Sequence, residues 1–178
     1  MQIVDSYSES NASINWQTYT NSFVAQSFTG DGGNLSKIKI YGRRRGVPTG
    51  NVYAKIYTHS GTFGTNSMPT GSALATSDPI NIMTIGQYPS VDPYLIAFTF
   101  SEENKIALVD QTKYCFSIEF ASGDFSNNLW VMYDVNSPSH AGNISYFVDT
   151  WQPYSTSDLI FYVYNDNPLG PFPTHLRI

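Results

Sequence analysis

The sequence predicts an all-β chain, a single-domain antiparallel two-sheet β-sandwich of jelly-roll type with extended terminal arms. Three observations carry this. Apolar and polar side chains alternate at period two in a series of short stretches, the pattern of strands with one buried face. The 13 Gly and 10 Pro fall largely with Asn and Asp between those stretches, where turns need them. Charged residues make up 13% of the chain, against a usual ~25%, while Ser, Thr, Asn and Gln fill 56 of 178 positions and aromatics 15%. A chain of this length buries a core without disulfides or metal.

Residues 1–21 are polar and read as an N-terminal arm or edge segment. Residues 22–164 are the sandwich domain. Its first strand, 23–28, is short; 35–41 sets Ile38 and Ile40 against Lys37, Lys39 and Tyr41. In 52–57, Val52, Ala54 and Ile56 alternate with Tyr53, Lys55 and Tyr57. The stretch 58–72, with Gly61, Gly64, Pro69 and Gly71, reads as a loop too polar for the core, and 80–93 as an insertion. Residues 95–100 place Ile96, Phe98 and Phe100 on one face. After a polar connection at 101–109 with at most one helical turn, 113–121 sends Tyr114, Phe116, Ile118 and Phe120 inward and Cys115, Ser117 and Glu119 outward. Strands at 129–135, 144–148 and 159–164 complete the set. The Pro-rich 165–178 cannot continue a central strand and reads as an extended C-terminal arm, with Phe172, Leu176 and Ile178 as candidate partner contacts.

Composition also excludes function classes. Coiled coils, membrane-spanning helices and disordered acidic chains do not fit it. A net charge of −5 argues against nucleic acid and anionic membranes as partners. Cys115 stands alone, so no internal disulfide forms, and it reads as a structural thiol on a strand. Met1-Gln2-Ile3-Val4-Asp5-Ser6 has no basic segment leading into an apolar run, so no secretory leader is expected.

Candidate chemistry is sparse. His59, His140 and His175 lie far apart, with no metal-ligand spacing, and no nucleophile, zinc or phosphate-loop motif occurs. The expectation is a protein that is not an enzyme. A glycosidase needs two carboxylates about 5–10 Å apart, which leaves Asp134 with Asp149 or Asp158 open. The leading binding candidates are Trp130, Tyr133, Tyr146, Trp151 and Tyr154, with Asp134 and His140 between them. Flat rings stack on the C–H faces of sugars while polar groups bond the hydroxyls, although aromatics are also common sandwich core. Trp151-Gln152-Pro153-Tyr154 reads as a loop, where a large ring is partly exposed. Gly42-Arg43-Arg44-Arg45-Gly46 is the only charge run. On a turn, Arg43, Arg44 and Arg45 would clasp phosphate or an acidic neighbour; the alternative is a solvated turn. No cofactor is expected. Asp31-Gly32-Gly33-Asn34 offers oxygen ligands for a structural Ca²⁺, but a plain turn explains it more simply.

One ordered set of segments carries a family resemblance. It runs Val24-Ala25-Gln26-Ser27-Phe28-Thr29, Leu35-Ser36-Lys37-Ile38, Gly46-Val47-Pro48-Thr49-Gly50-Asn51-Val52 and Ser72-Ala73-Leu74-Ala75-Thr76-Ser77. Phe98-Thr99-Phe100-Ser101, Thr112-Lys113-Tyr114, Trp130, Tyr133-Asp134 and Asp158-Leu159-Ile160-Phe161 follow. Across about 22–164 this resembles the β-sandwich choice-of-anchor domains of bacterial surface and secreted proteins and their phage structural relatives. The resemblance implies a sandwich and brings no catalytic residues. Its members usually carry a signal peptide and an anchoring or enzymatic neighbour, neither of which is expected here. The functional expectation is therefore a virion surface, decoration or tail-associated protein, made in the host cytoplasm. It would contact other virion subunits or copies of itself. The alternative is an extracellular carbohydrate-binding module or adhesin with a glycan partner.

Overall fold

The computed structural model describes residues 1–166. Strands follow in chain order as β1 (Gln2–Tyr7), β2 (Ile14–Thr18), β3 (Phe23–Thr29), β4 (Leu35–Arg45), β5 (Asn51–Ser60), β6 (Met68–Thr76) and β7 (Ile80–Asn81). Then come β8 (Tyr94–Thr99), β9 (Lys113–Glu119), β10 (Asn128–Asp134), β11 (Ile144–Val148), β12 (Thr150–Tyr154), β13 (Asp158–Leu159) and β14 (Phe161–Asn165). The only helical pieces among the described residues are single turns such as Glu102–Asn104, in the polar connection after β8. No helix among them is long and apolar enough to cross a membrane.

Two antiparallel sheets face each other across one core, the β-sandwich that the alternation predicts. The first runs β1-β14-β4-β10-β13, with β2 added to β10 and β8 to β4. The second runs β12-β11-β3-β9-β5-β6, with β7 added to β5. Cross-strand register fills the space between them. Ile38 sits opposite Val163 and Phe98, and Ile40 opposite Phe161 and Ile96. Facing them, Phe116 is opposite Ile56, and Ile118 is opposite Val24 and Ala54. Every one of these side chains is buried. Each leucine- or phenylalanine-sized side chain so buried contributes about 1.5–3 kcal/mol.

Residues 2–18 take the edge-segment form of the expectation, built into the first sheet as strands with β1 at its edge against β14 and β2 against β10. Three segments differ from the sequence reading. The 58–72 stretch is not a loop: β5 runs to Ser60 and β6 begins at Met68, a hairpin partner along β5. β6 lies close to β3, β9, β11 and β12 as well. It thus covers the outer face of the second sheet, where Cys115, Ser117 and Ser145 are buried despite pointing away from the core. Burial pushes the Cys115 thiol up to about 12, far from a reactive thiolate. Trp151-Gln152-Pro153-Tyr154 is strand β12 rather than a loop, and Pro153 is tolerated because β12 is an edge strand. Arg43, Arg44 and Arg45 close β4 as strand residues opposite Trp130, Leu129 and Asn128, not as a turn. Beyond Asp166 the C-terminal arm, with Phe172, Leu176 and Ile178, lies outside the described residues.

Candidate binding cleft

Where the β2–β10 side of the first sheet meets the β11–β12 side of the second, aromatic rings line an opening. Along β10, Leu129 and Val131 are core residues, so the same alternation turns Tyr133 inward. Trp16 is the cross-strand partner of Val131 and shares that face. From the other sheet, Tyr146 stacks on Trp16 with ring centroids 5.1 Å apart, and Tyr154 meets Tyr146 edge-on at 6.3 Å. These rings, with Val24, Val135 and Ile144, surround a cavity of about 340 Å³. A second cavity of about 360 Å³ shares Trp16 and Tyr133 and adds Asn15, Gln17, Tyr19, Ser22, Phe125 and Val148. No lining residue of either cavity carries a charge. Burial, and the neighbouring Tyr154, raise the pKa of Tyr133, so its hydroxyl stays a neutral hydrogen-bonding group. Large apolar side chains left in water collect here: Phe125 is 63% exposed, Val148 52%, Tyr154 49% and Val135 41%.

The structure divides the binding candidates among four places. Tyr133, Tyr146 and Tyr154 meet in the cleft. Trp151 lies on the opposite face of its hairpin, edge-on to Phe147 at 5.4 Å, and Phe147 stacks on Phe23 at 5.6 Å. Trp130 is on the outer face of the first sheet, 4.8 Å from the Tyr88 ring. Asp134 and His140 are buried in a polar network away from the cleft. Sequence reading missed Trp16, Phe125, Asn15, Gln17 and Tyr19. The signal was present in Ile14, Trp16 and Thr18 alternating with Asn15 and Gln17, within a segment whose average polarity hid it.

That network crosses the sandwich from sheet to sheet. Asp5 on β1 accepts from Ser6 N and from His140 Nε2 through Oδ1 at 2.8 and 3.0 Å, and from Thr29 N through Oδ2 at 3.1 Å. Gln26, which points into the core from β3, donates to Asp158 Oδ1 at 2.8 Å and accepts from Leu159 N at 2.9 Å. His140 Nδ1 lies 3.4 Å from Asp158 Oδ1. Burial opposes a charged imidazole, but the bonds to Asp158 and Asp5 raise the His140 pKa to about 9. Gly142 N–H at 3.0 Å and the Gln26 amide at 3.2 Å both point at the same Nδ1, bonds that only the neutral ring accepts. Against them stand two carboxylates within 3.4 Å, which favour the protonated ring.

Asp134 and Asp158 are cross-strand partners, the carboxylate pair that hydrolysis would need. Their surroundings push them apart. Burial raises Asp158; for Asp134, burial is outweighed by bonds from Asn136 N, Tyr7 and Ser13, which hold it below its ordinary value. Both are shut off from solvent, and neither lines either cavity of the cleft. Asp149 sits apart on the β11–β12 turn, at φ +66°. In the Asp31-Gly32-Gly33-Asn34 turn, Asp31 accepts from Gly33 N at 3.0 Å and from Asn165 Nδ2 at 2.6 Å, so its oxygens hold the turn together. No group of three or more His, Cys, Asp or Glu that could hold a metal occurs among the described residues.

The three arginines separate by strand alternation. Arg44 donates from Nε to Ile85 O at 2.8 Å and from Nη1 to Gly46 O, tying the 82–86 segment to β4. Arg43 and Arg45 emerge on the outer face beside Trp130. Gly42 allows this packing, because a Cβ there would stand 2.4 Å from Trp130 O. Compared with known protein families and with curated proteins, the chain matches no family model and no curated sequence.

Proposed function

We propose that this protein is a non-catalytic β-sandwich that binds a saccharide in the cleft between its sheets, displayed on an exterior surface such as that of a virion. The observation that supports this most is the gathering of Phe125, Val135, Val148 and Tyr154, all exposed, around two cavities that share Trp16 and Tyr133. Exposed apolar groups gathered at a concave site mark binding. Ring faces receive the C–H faces of sugars, and the Asn15 and Gln17 amides and the tyrosine hydroxyls offer donors and acceptors to sugar hydroxyls. The uncharged lining suits neutral ring faces. The virion setting rests on the low charge and the hydroxyl- and amide-rich composition.

The test is a glycan array followed by titration calorimetry on the best hit. Ring contacts are worth about 0.5–1.5 kcal/mol each, so Tyr154→Ala should weaken binding by about two- to twelvefold. Trp151→Ala, outside the cleft, should leave it unchanged. An array without hits, or equal affinity in Tyr154→Ala and Tyr133→Ala, would remove the reading.

A further inference from the structure

We infer that the saccharide is acidic, and that Arg43 and Arg45 read its carboxylate or sulfate groups on the outer face of the first sheet; this rests on the saccharide reading of the cleft. Three observations lead there. The first is continuity. Gln17, which lines the second cavity, is the cross-strand partner of Trp130, and Trp130 is the partner of Arg43. Two strand spacings, roughly 10 Å, therefore separate cavity wall from guanidinium strand. Phe125 makes a second link, since it lines that cavity and lies beneath the Arg45 guanidinium at 5.4 Å.

The second observation is preorganisation. Arg43 lies over Tyr88 at 4.5 Å and over Trp130 at 5.4 Å, and Arg45 lies over Trp130 at 5.7 Å. A guanidinium stacked on rings keeps its charge while its edge N–H groups remain available to a planar oxyanion. Each of the two makes one side-chain hydrogen bond, to Val91 O and Phe125 O.

The third is charge. Among the described residues neither arginine is ion-paired, in a chain of net charge −5. The Asp124 carboxylate nearby is turned into its own loop, accepting from Asn127 and Ser126. Arg43 and Arg45 each use one N–H on a backbone carbonyl, and the nearby Asp124 is engaged in its own loop, so the other guanidinium N–H groups are left for an anionic ligand to meet.

The test uses the full chain with three probes: polygalacturonate oligomers, their methyl-esterified neutral counterparts, and heparin-derived sulfated oligomers. An acidic probe should bind at least tenfold more tightly than the neutral one at low salt, and the excess should shrink as salt rises. Whether the carboxylated or the sulfated probe gains it identifies the group read. Arg43→Gln with Arg45→Gln should lose the excess while keeping the affinity for the neutral oligomer. Arg43→Lys, which keeps the charge but not the planar stack, should lose part of it and guards against a misfolded double variant. Equal affinity for acidic and neutral probes, unaffected by the arginine variants, overturns the inference and leaves the cleft reading standing. Acidic binding that survives Tyr154→Ala overturns the link between cleft and patch. No binding of any probe overturns the acidic assignment, while a hit elsewhere on a glycan array would still preserve the cleft.

Discussion

His140 stands between Asp5 and Asp158 with 7% of its side chain exposed, and that position makes stability depend on pH. Its pKa in the fold, about 9, lies above its ordinary value of 6.5. The native state therefore holds the proton more tightly than the unfolded chain does. The stabilisation is full below about pH 6.5 and is lost as pH rises through about 9. Asp158, raised by burial, acts with the same sign, because its ionisation also costs more in the fold. The His140 shift is on the order of 3 kcal/mol, which for a domain of this size lowers Tm by roughly 10 °C between pH 6 and pH 9.5. Thermal melts across that range check it. His140→Gln should flatten the profile, and a flat wild-type profile would assign the neutral ring bonded by Gly142 N–H.

At the scale of elements, polar residues do work that hydrophobic patterning cannot announce. Ser67, fully buried just before β6, donates its N–H to Asn143 Oδ1 at 3.1 Å and accepts from Asn143 Nδ2 at 3.2 Å. This clamp fixes the β5–β6 hairpin to the start of β11. Asn143→Ala should cost about 2–4 kcal/mol, since it strands the buried N–H and C=O of Ser67. Hydrogen exchange should show 61–70 opening first; unchanged protection there would contradict the clamp. The same segment shows why sequence reading stopped where it did. Strands with an apolar face, such as those carrying Ile38, Ile56 or Phe116, were legible from alternation alone. The 58–72 hairpin, held by Ser and Asn pairing, was not. β1 was obscured by a register shift between Ile3 and Asp5, and β12 by its proline. In the candidate site, nearness along the chain misled, because alternation sends Trp130 and Tyr133 to opposite faces of β10. Only the Tyr133, Tyr146 and Tyr154 part of the expected aromatic group converges, and Trp16 from a segment read as polar completes it.

For the molecule as a whole, closure joins distant parts of the chain. β1 pairs with β14, and His140 links Asp5 near one end to Asp158 near the other. Such long-range pairing must form late, after loop-closure entropy has been overcome. Refolding on dilution from denaturant should accordingly take milliseconds to seconds, and stopped-flow fluorescence of the three Trp follows it; completion within microseconds would contradict this order of events. Because Gln2 stands directly opposite Asn165, residues 2 and 165 lie about 5 Å apart. The unit they bound could be spliced into a surface turn of a host protein, its two seams spanning little more than the gap a hairpin already bridges, so the host need not be prised open to receive it.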